Sequence, residues 1–451
     1  MRTGGEDILS IWQKWKAEIR SWPRNIQLFF LANILYQMGG GMFSVLYNLY
    51  IQDLGYDATM NGTIISVQSI ATAIMFIPIG LLGDRISKKP ILIIGALFSG
   101  LTFVGRAFAI GEPHLLWLAI SSGLFASFFQ VLAIPFLAAN VSEHNRLRLF
   151  SIHASLVLAA QVIGSFGGGV LADVLGFIGI HSISSLQIVL LLGGIATFLG
   201  TLPLFLVKDS PVIHNPVSAI RSNTVSASNM NRSVSSNMAA EQSKSDFRII
   251  KHFVMTQLLI GIGSGLVVPY LNLYFTDRFH ISLSLMSALI SLGQVMTIIS
   301  MMIGPSLVSR VGPVRAVFIF QTMSLPFLLL TGFTYSVLIA SVSFLFRQAL
   351  MNAANPIFSS ILIDHVSDRR RGIANSLMQT AFMIGWATMG PVQSYLVTTY
   401  GSYHGYAITF TITGVLYVLA STWFYLVFRN KHNNKLEQSV SGKSSSPSKP
   451  I

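Results

Sequence analysis

Apolar stretches of span length, parted by short polar breaks, recur from residue 27 to residue 428. Inside a stretch the apolar residues run on without the alternation of a half-buried strand. Turn residues do not return every ~8–12 positions, as a sandwich or barrel of short strands requires. A membrane-spanning barrel would alternate apolar and polar positions, and these runs do not. At ~20 apolar residues per membrane-spanning helix, the pattern predicts twelve spans: 27–52, 61–83, 90–110, 115–140, 148–172, 186–207, 247–276, 284–308, 314–334, 336–363, 371–399 and 404–428. The expected fold is an all-α membrane protein of two six-helix bundles.

The polar segments set the organisation. Residues 209–246 carry ten Ser and five Asn, with Pro211 and Pro216 near the start. A segment so poor in apolar residues reads as a linker between bundles 27–208 and 247–428. Residues 1–26 form a third kind of segment. Ile8, Trp12, Trp15, Ile19 and Trp22 fall at helical spacing with Lys14, Lys16 and Arg20 between them, the pattern of a helix lying in the interface. Residues 429–451, with Pro-Ser-Lys-Pro near the end, read as a disordered tail.

Charge then orients the spans. Charged residues make up only 10% of the chain and hydrophobic residues 52%, with no cysteine. A soluble domain carries about 25% charged residues, so an ordinary soluble enzyme and a disulfide-stapled secreted domain are excluded. The formal net charge of +13 invites a nucleic-acid reading. With both termini placed in the cytoplasm, however, 26 of the 29 Lys and Arg fall on the cytoplasmic side, all but Arg106, Arg278 and Arg347. That is the positive-inside bias of a multi-pass protein. It accounts for the basic balance with anionic lipid as the partner and no nucleic acid. The protein is expected in the cytoplasmic membrane, as a monomer acting on a small-molecule substrate.

The two halves repeat. Shifted by 221 positions, Pro135–Gly169 aligns with Pro356–Gly390 without a gap, and ten of 35 residues are identical, among them His144/His365, Arg148/Arg369, Ser155/Ser376 and Gly164/Gly385. Shifted by 224, Asn48-Leu49-Tyr50 and Asp53 meet Asn272-Leu273-Tyr274 and Asp277. The period is that of a duplicated six-helix unit, as in transporters built from parallel repeats.

Between spans 2 and 3 stands Gly80-Leu81-Leu82-Gly83-Asp84-Arg85-Ile86-Ser87-Lys88-Lys89. It resembles the G-x-x-x-D-R-x-x-[KR]-[KR] signature of the major facilitator superfamily, with Ser87 where that family usually has Gly. With the twelve spans and the repeat, the resemblance covers residues 27–428. The second copy, Gly304 to Arg315, keeps Arg310 and Gly312 but has Ser309 opposite Asp84. Two glycines let span 2 approach a neighbour closely, and a carboxylate at the boundary suits the positive end of another helix. The resemblance implies that Gly80, Gly83, Asp84, Arg85, Lys88 and Lys89, with Glu143 and Arg148, form a cytoplasmic latch. Arg310, Asp364 and Arg369 would form its counterpart. A loop anchored by solvated charges is the plainer alternative.

The resemblance also implies a substrate path lined by spans 1, 4, 7 and 10. Their polar residues are Asn33, Tyr36, Gln37 and Asn48; Gln130; Gln257, Asn272 and Tyr274; and Arg347, Gln348, Asn352 and Asn355. Arg347 lies 17 residues before Asp364, about 25 Å along a helix, which sets it inside the hydrocarbon. A charge there costs ~2.5–3.5 kcal/mol on insertion scales. It is expected to face the path and meet an anion, a coupled proton, or carbonyls freed around Pro356; its repeat counterpart is Ala126. None of the 16 acids falls mid-span. Proton coupling, if present, would therefore use boundary groups such as Asp53, Asp277, Asp84 or Glu143, or else His153. No metal site is expected. Gly164-Ser165-Phe166-Gly167-Gly168-Gly169 loosely resembles the family's Gly-Pro-x-x-Gly-Gly antiporter motif, with Ser165 in place of proline; close helix packing explains the same glycines.

These features predict a secondary transporter working by alternating access, of efflux type for a drug or metabolite. An importer of a sugar-like or organic-anion metabolite is the alternative. A non-transporting sensor is more remote, since only 23 residues follow Phe428. An enzyme is not expected, because there is no HExxH, no paired mid-span acids and no nucleophile–base motif.

Overall fold

The computed structural model describes residues 22–141, 143–208, 229–367 and 370–441, with side chains described at 22–83, 86–141, 149–150, 152–208, 246–362, 364–367, 370 and 373–429. Every regular element among the described residues is helical. In chain order they are α1 (Arg24–Asp53), α2 (Ala58–Arg85), α3 (Lys88–Phe108), α4 (Glu112–Ala139), α5 (Glu143–Phe177), α6 (Ser182–Leu199), α7 (Thr201–Phe205), α8 (Asn229–Val267), a 3₁₀ turn (Val268–Tyr270), α9 (Leu271–Phe279), α10 (Leu283–Val311), α11 (Pro313–Phe333), α12 (Val337–His365), α13 (Arg371–Thr388) and α14 (Gly390–Ser441). Among the described residues, eleven helical stretches are long and apolar enough to cross a membrane. Twelve were expected. The eleventh, Ile373–Arg429, has 57 residues, and within it Gly401 departs from helical geometry at φ 75°, ψ 173°, a backbone region open to glycine alone.

Local chemistry sets the helix ends. Asp57 accepts from the Thr59 and Met60 amides, at 3.0 and 3.2 Å, capping α2. Ser336 does the same for α12 at the Ile339 amide. Gly312, at φ 83°, turns the chain from α10 into Pro313. Pro269, with no N–H to donate, sits where the expected span 247–276 breaks into α8, the 3₁₀ turn and α9. Two expected boundaries move. The helix begins at Asn229, inside the segment read as a linker to 246, and the last helix runs to Ser441, inside the segment read as a disordered tail. Met230, Ala239, Ala240, Glu241 and Gln242 in one, and Lys435, Leu436, Glu437 and Gln438 in the other, are good helix formers with no proline to stop them. Residues 1–21, 209–228 and 442–451 lie outside the described residues.

The chain packs as two units. The first holds the described residues of Met1–Tyr56, Ile70–Ile213 and Ser282–Ser291; the second holds those of Asp57–Ser69, His214–Ile281 and Leu292–Ile451. In the first, α1 packs on α5 and α6, and α3 packs on α4 and α6. Its core includes Phe29, Phe129, Leu132 and Phe136. In the second, α8 packs on α13 and α14, and α11 packs on α12 and α14, around Phe253, Phe358, Phe424 and Phe428. The neighbour pattern is the same in both, as duplication predicts.

The duplication reaches single hydrogen bonds. The Tyr50 hydroxyl donates to the Ala107 carbonyl (3.0 Å), and that of Tyr274 to the Thr331 carbonyl, each 57 residues away. Asp53 accepts from the Ser182 hydroxyl and Asp277 from the Tyr406 hydroxyl, each 129 residues away. Glycine contacts repeat too. A Cβ on Gly164 would lie 2.0 Å from the Met38 carbonyl oxygen of α1, and one on Gly385 would lie 2.6 Å from the Ile262 nitrogen of α8. Within the first unit α5 crosses the start of α10: Ser165 and Ser291 hydroxyls lie 2.7 Å apart, and Asp173 accepts from the Ser284 amide at 2.7 Å. Within the second, α14 crosses the start of α2, where Gly390 meets Gly62 and Ser394 donates to the Ala58 carbonyl at 2.6 Å.

Candidate functional site

The second unit holds a continuous run of polar side chains on an otherwise apolar helix. Pro356 lies inside α12 and leaves the carbonyl four residues back, that of Asn352, without its helical donor. Next to that break Asn355 is exposed, and its amide donates to Asn352 Oδ1 at 3.2 Å. Asn352 donates to the Gln348 carbonyl (2.9 Å) and to Thr297 Oγ1 on α10 (3.4 Å). One residue before Gln348 stands Arg347, 4% exposed. Its Nη1 donates to Gln348 Oε1 at 3.1 Å and its Nη2 to the Tyr417 hydroxyl of α14 at 2.9 Å. The Tyr417 hydroxyl lies 2.8 Å from Ser264 Oγ on α8. Seven residues from four helices thus join an exposed amide and a buried cation in one run.

The electrostatics of this run are unbalanced. Both partners of Arg347 are neutral, and its Nε has no hydrogen-bond partner among the described residues. The guanidinium also stands 5.8 Å from the centre of the Tyr417 ring, a contact worth about 0.5–2 kcal/mol. The expected carbonyls around Pro356 are not its partners: the side chains of Gln348 and Tyr417 are.

The other predicted residues fall in several places. Gln37 accepts from Gln161 Nε2 at 3.0 Å, joining α1 to α5. Asn48 and Asn272 are buried, and Tyr274 is buried with its hydroxyl on the Thr331 carbonyl. Gln130 is exposed and Gln257 half-buried. His153 is buried beside Phe29 and Phe30, ring centres 5.9 and 6.2 Å away, and its Nε2 has no partner among the described residues. Asp53 and Asp277 bind hydroxyls of Ser182 and Tyr406. Of the motif, Gly83 packs on Leu132 of α4, whose Cδ2 lies 2.3 Å from where a Cβ would stand; Gly80 has more room. Lys88 and Lys89 are half-buried, and Arg310 and Asp364 exposed. The side chains of Asp84, Arg85, Glu143 and Arg148, and all of Arg369, lie outside the described residues.

Five participants escaped the sequence reading. Tyr417, Ser264 and Thr297 sit in apolar runs with nothing to set them apart. Asp246, buried at the start of the membrane-spanning part of α8, accepts from the Ser367 hydroxyl; its place next to the Ser-rich segment hid it. Gln161, an amide in mid-span, carried a usable signal.

The family model described as Major Facilitator Superfamily matches residues 29–346 and 253–450. The multi-drug resistance efflux pump PmrA of Streptococcus pneumoniae is 27% identical over 161 residues, 35% of this chain and 40% of the pump. The chain thus spans about 40% of the length of the curated relatives it matches. Among solved structures, a bacterial homologue of the human lysosomal transporter Spinster, inward-facing and unoccupied, superposes with a TM-score of 0.71 at 14% identity, covering 91% of this chain and 98% of that one. A D-xylose–proton symporter gives 0.69 at 15% identity, covering 89% and 96%. These two likenesses concern the fold.

Proposed function

The chain belongs to the major facilitator superfamily, and from that premise we propose that it is an efflux-type secondary transporter that moves a small solute across the cytoplasmic membrane by alternating access. Family and fold are those of multi-pass transporters, not of enzymes. The observation that carries the proposal is the polar run from Asn355 to Arg347 and Tyr417. A membrane helix bears the cost of such groups where they serve a substrate or ion path. The efflux direction is supported by the segment shared with a multi-drug efflux pump.

In this reading the chain has twelve spans with both termini in the cytoplasm, the last two parted at Gly401. Asp84, Arg85, Glu143 and Arg148, with Arg310, Asp364 and Arg369, latch the cytoplasmic face, and the latch breaks as that face opens. Import of a sugar-like or organic-anion metabolite is the second reading, favoured by the lack of a mid-span carboxylate to match a cationic drug.

The test is flux in proteoliposomes. Labelled dyes, sugars and organic acids are offered with and without an imposed pH gradient. The expected result is directional flux that D84N reduces at least tenfold while the protein stays monodisperse. Flux of none of them into or out of the vesicles refutes the transporter reading; unreduced flux in D84N refutes the latch.

A further inference from the structure

Arg347 is a cation without a counter-charge. It is 4% exposed, and its two partners, Gln348 Oε1 and the Tyr417 hydroxyl, are neutral. No carboxylate pairs with it among the described residues, and its Nε is left without an acceptor. A buried charge of this kind is held either by an ion pair or by a ligand that brings the opposite charge. The protein side supplies no such pair.

The guanidinium edge carries the argument further. Nε–H and one Nη2 N–H lie side by side on a single edge of the planar group, the edge that takes two oxygens of an oxyanion. Here Nε is buried without a hydrogen-bond partner and Nη2 holds the Tyr417 hydroxyl at 2.9 Å. That phenol oxygen would compete with an oxyanion oxygen for Nη2. It has a second partner to fall back on, Ser264 Oγ at 2.8 Å. An incoming oxyanion would take Nε, displace Tyr417 from Nη2, and leave the phenol bound to Ser264. The amides of Asn355, Asn352 and Gln348 lead from an exposed position to the guanidinium, which they meet at Nη1, and they donate to oxygen as readily as they accept.

We infer that the solute carries an oxyanion, a carboxylate or a phosphate, that is neutralised at Arg347, with Tyr417 as the residue that holds the site when it is empty. The inference rests on the transporter reading for the word solute, and on the geometry of the second unit alone for the charge. The repeat position, Ala126, has no cation.

The experiment compares probes matched in shape and opposed in charge: benzoate against benzamide, with phenyl phosphate as the second oxyanion, on the full chain in chloride-free buffer. Thermal unfolding is followed by tryptophan fluorescence. Benzoate or phenyl phosphate is expected to raise Tm in a saturable way and benzamide to leave it unchanged. R347Q abolishes the shift. R347K, which keeps the charge but loses the paired donors, weakens apparent affinity at least tenfold. Y417F, which frees the edge, does not weaken it. No shift with either oxyanion, or an unchanged shift in R347Q or R347K, overturns the inference. Flux of the same probes in proteoliposomes separates the two readings. Oxyanion binding without flux of any solute strikes the transporter reading and leaves the site. Flux of neutral solutes unaffected by R347Q, with no oxyanion shift, does the reverse.

Discussion

Replacing Gly164 and Gly385 in turn by alanine exposes how tightly the two copies are built. A Cβ on Gly164 would lie 2.0 Å from the Met38 carbonyl oxygen, 2.8 Å from its carbon and 3.0 Å from its Cα. Ordinary contact begins at 3.4 Å, so the shortfall is about 1.4 Å, and every atom in the way is backbone of α1. That helix cannot retreat freely, because Gly39 on its other side meets the Gly193 carbonyl oxygen of α6 at 2.2 Å from its own would-be Cβ. At Gly385 the nearest atom is the Ile262 nitrogen at 2.6 Å, a shortfall of about 0.8 Å. Overpacking of this kind costs ~1–3 kcal/mol. G164A belongs at about 3 kcal/mol and G385A at about 1–2. At ~2–4 °C per kcal/mol for a bundle of this size, Tm should fall by roughly 6–12 °C and 2–8 °C. The built-in control is Gly167 on the same helix, with nothing within 4 Å; G167A should hold or raise Tm, since alanine favours a helix by ~1 kcal/mol over glycine. Purified variants would be melted side by side, following tryptophan fluorescence. If G164A melts with the parent, or G385A falls further than G164A, the close-packing account of these glycines is wrong.

Two further predictions use the same symmetry. The chain has no cysteine, and the Ser165 and Ser291 hydroxyls lie 2.7 Å apart, so S165C/S291C should form a disulfide on mild oxidation. Flux should stop and return with reductant if this crossing parts in each cycle; a cross-linked protein that still transports refutes that motion. D53N and D277N each weaken one carboxylate–hydroxyl bond. Both should lower Tm by a few degrees, ~1–2 kcal/mol, and leave the pH dependence of flux unchanged. A shifted pH profile would instead mark the altered residue as a proton carrier.

The fold was legible because the bilayer imposes one period of about twenty apolar residues and the chain obeys it on both sides of residues 209–246. The repeat was legible through polar matches such as Tyr50/Tyr274 and Asp53/Asp277. Their partners were not, because Ala107, Thr331, Ser182 and Tyr406 are 57 or 129 residues distant and sit in unremarkable contexts. Arg347 stood out as a charge where charge is costly. Tyr417 did not, since a tyrosine in an apolar run is ordinary until the helix carrying it is folded against another. Asn229 and Ser441 mark the opposite failure. Serine- and asparagine-rich composition argued for coil, while the alanine, glutamate, glutamine and lysine among them sustain a helix.

The paired fasteners, Tyr to carbonyl and Asp to hydroxyl at matching spacings in both halves, bear on how such a chain can change its cargo. A doubled gene begins with two of everything. Here the fasteners are still present twice, whereas the cation of α12 faces an alanine in the other copy. On the proposal that Arg347 takes the solute, framework and selectivity draw on different residues, and one half can be rewritten around position 347 to suit a new cargo while the bonds that fasten both bundles stay as they are.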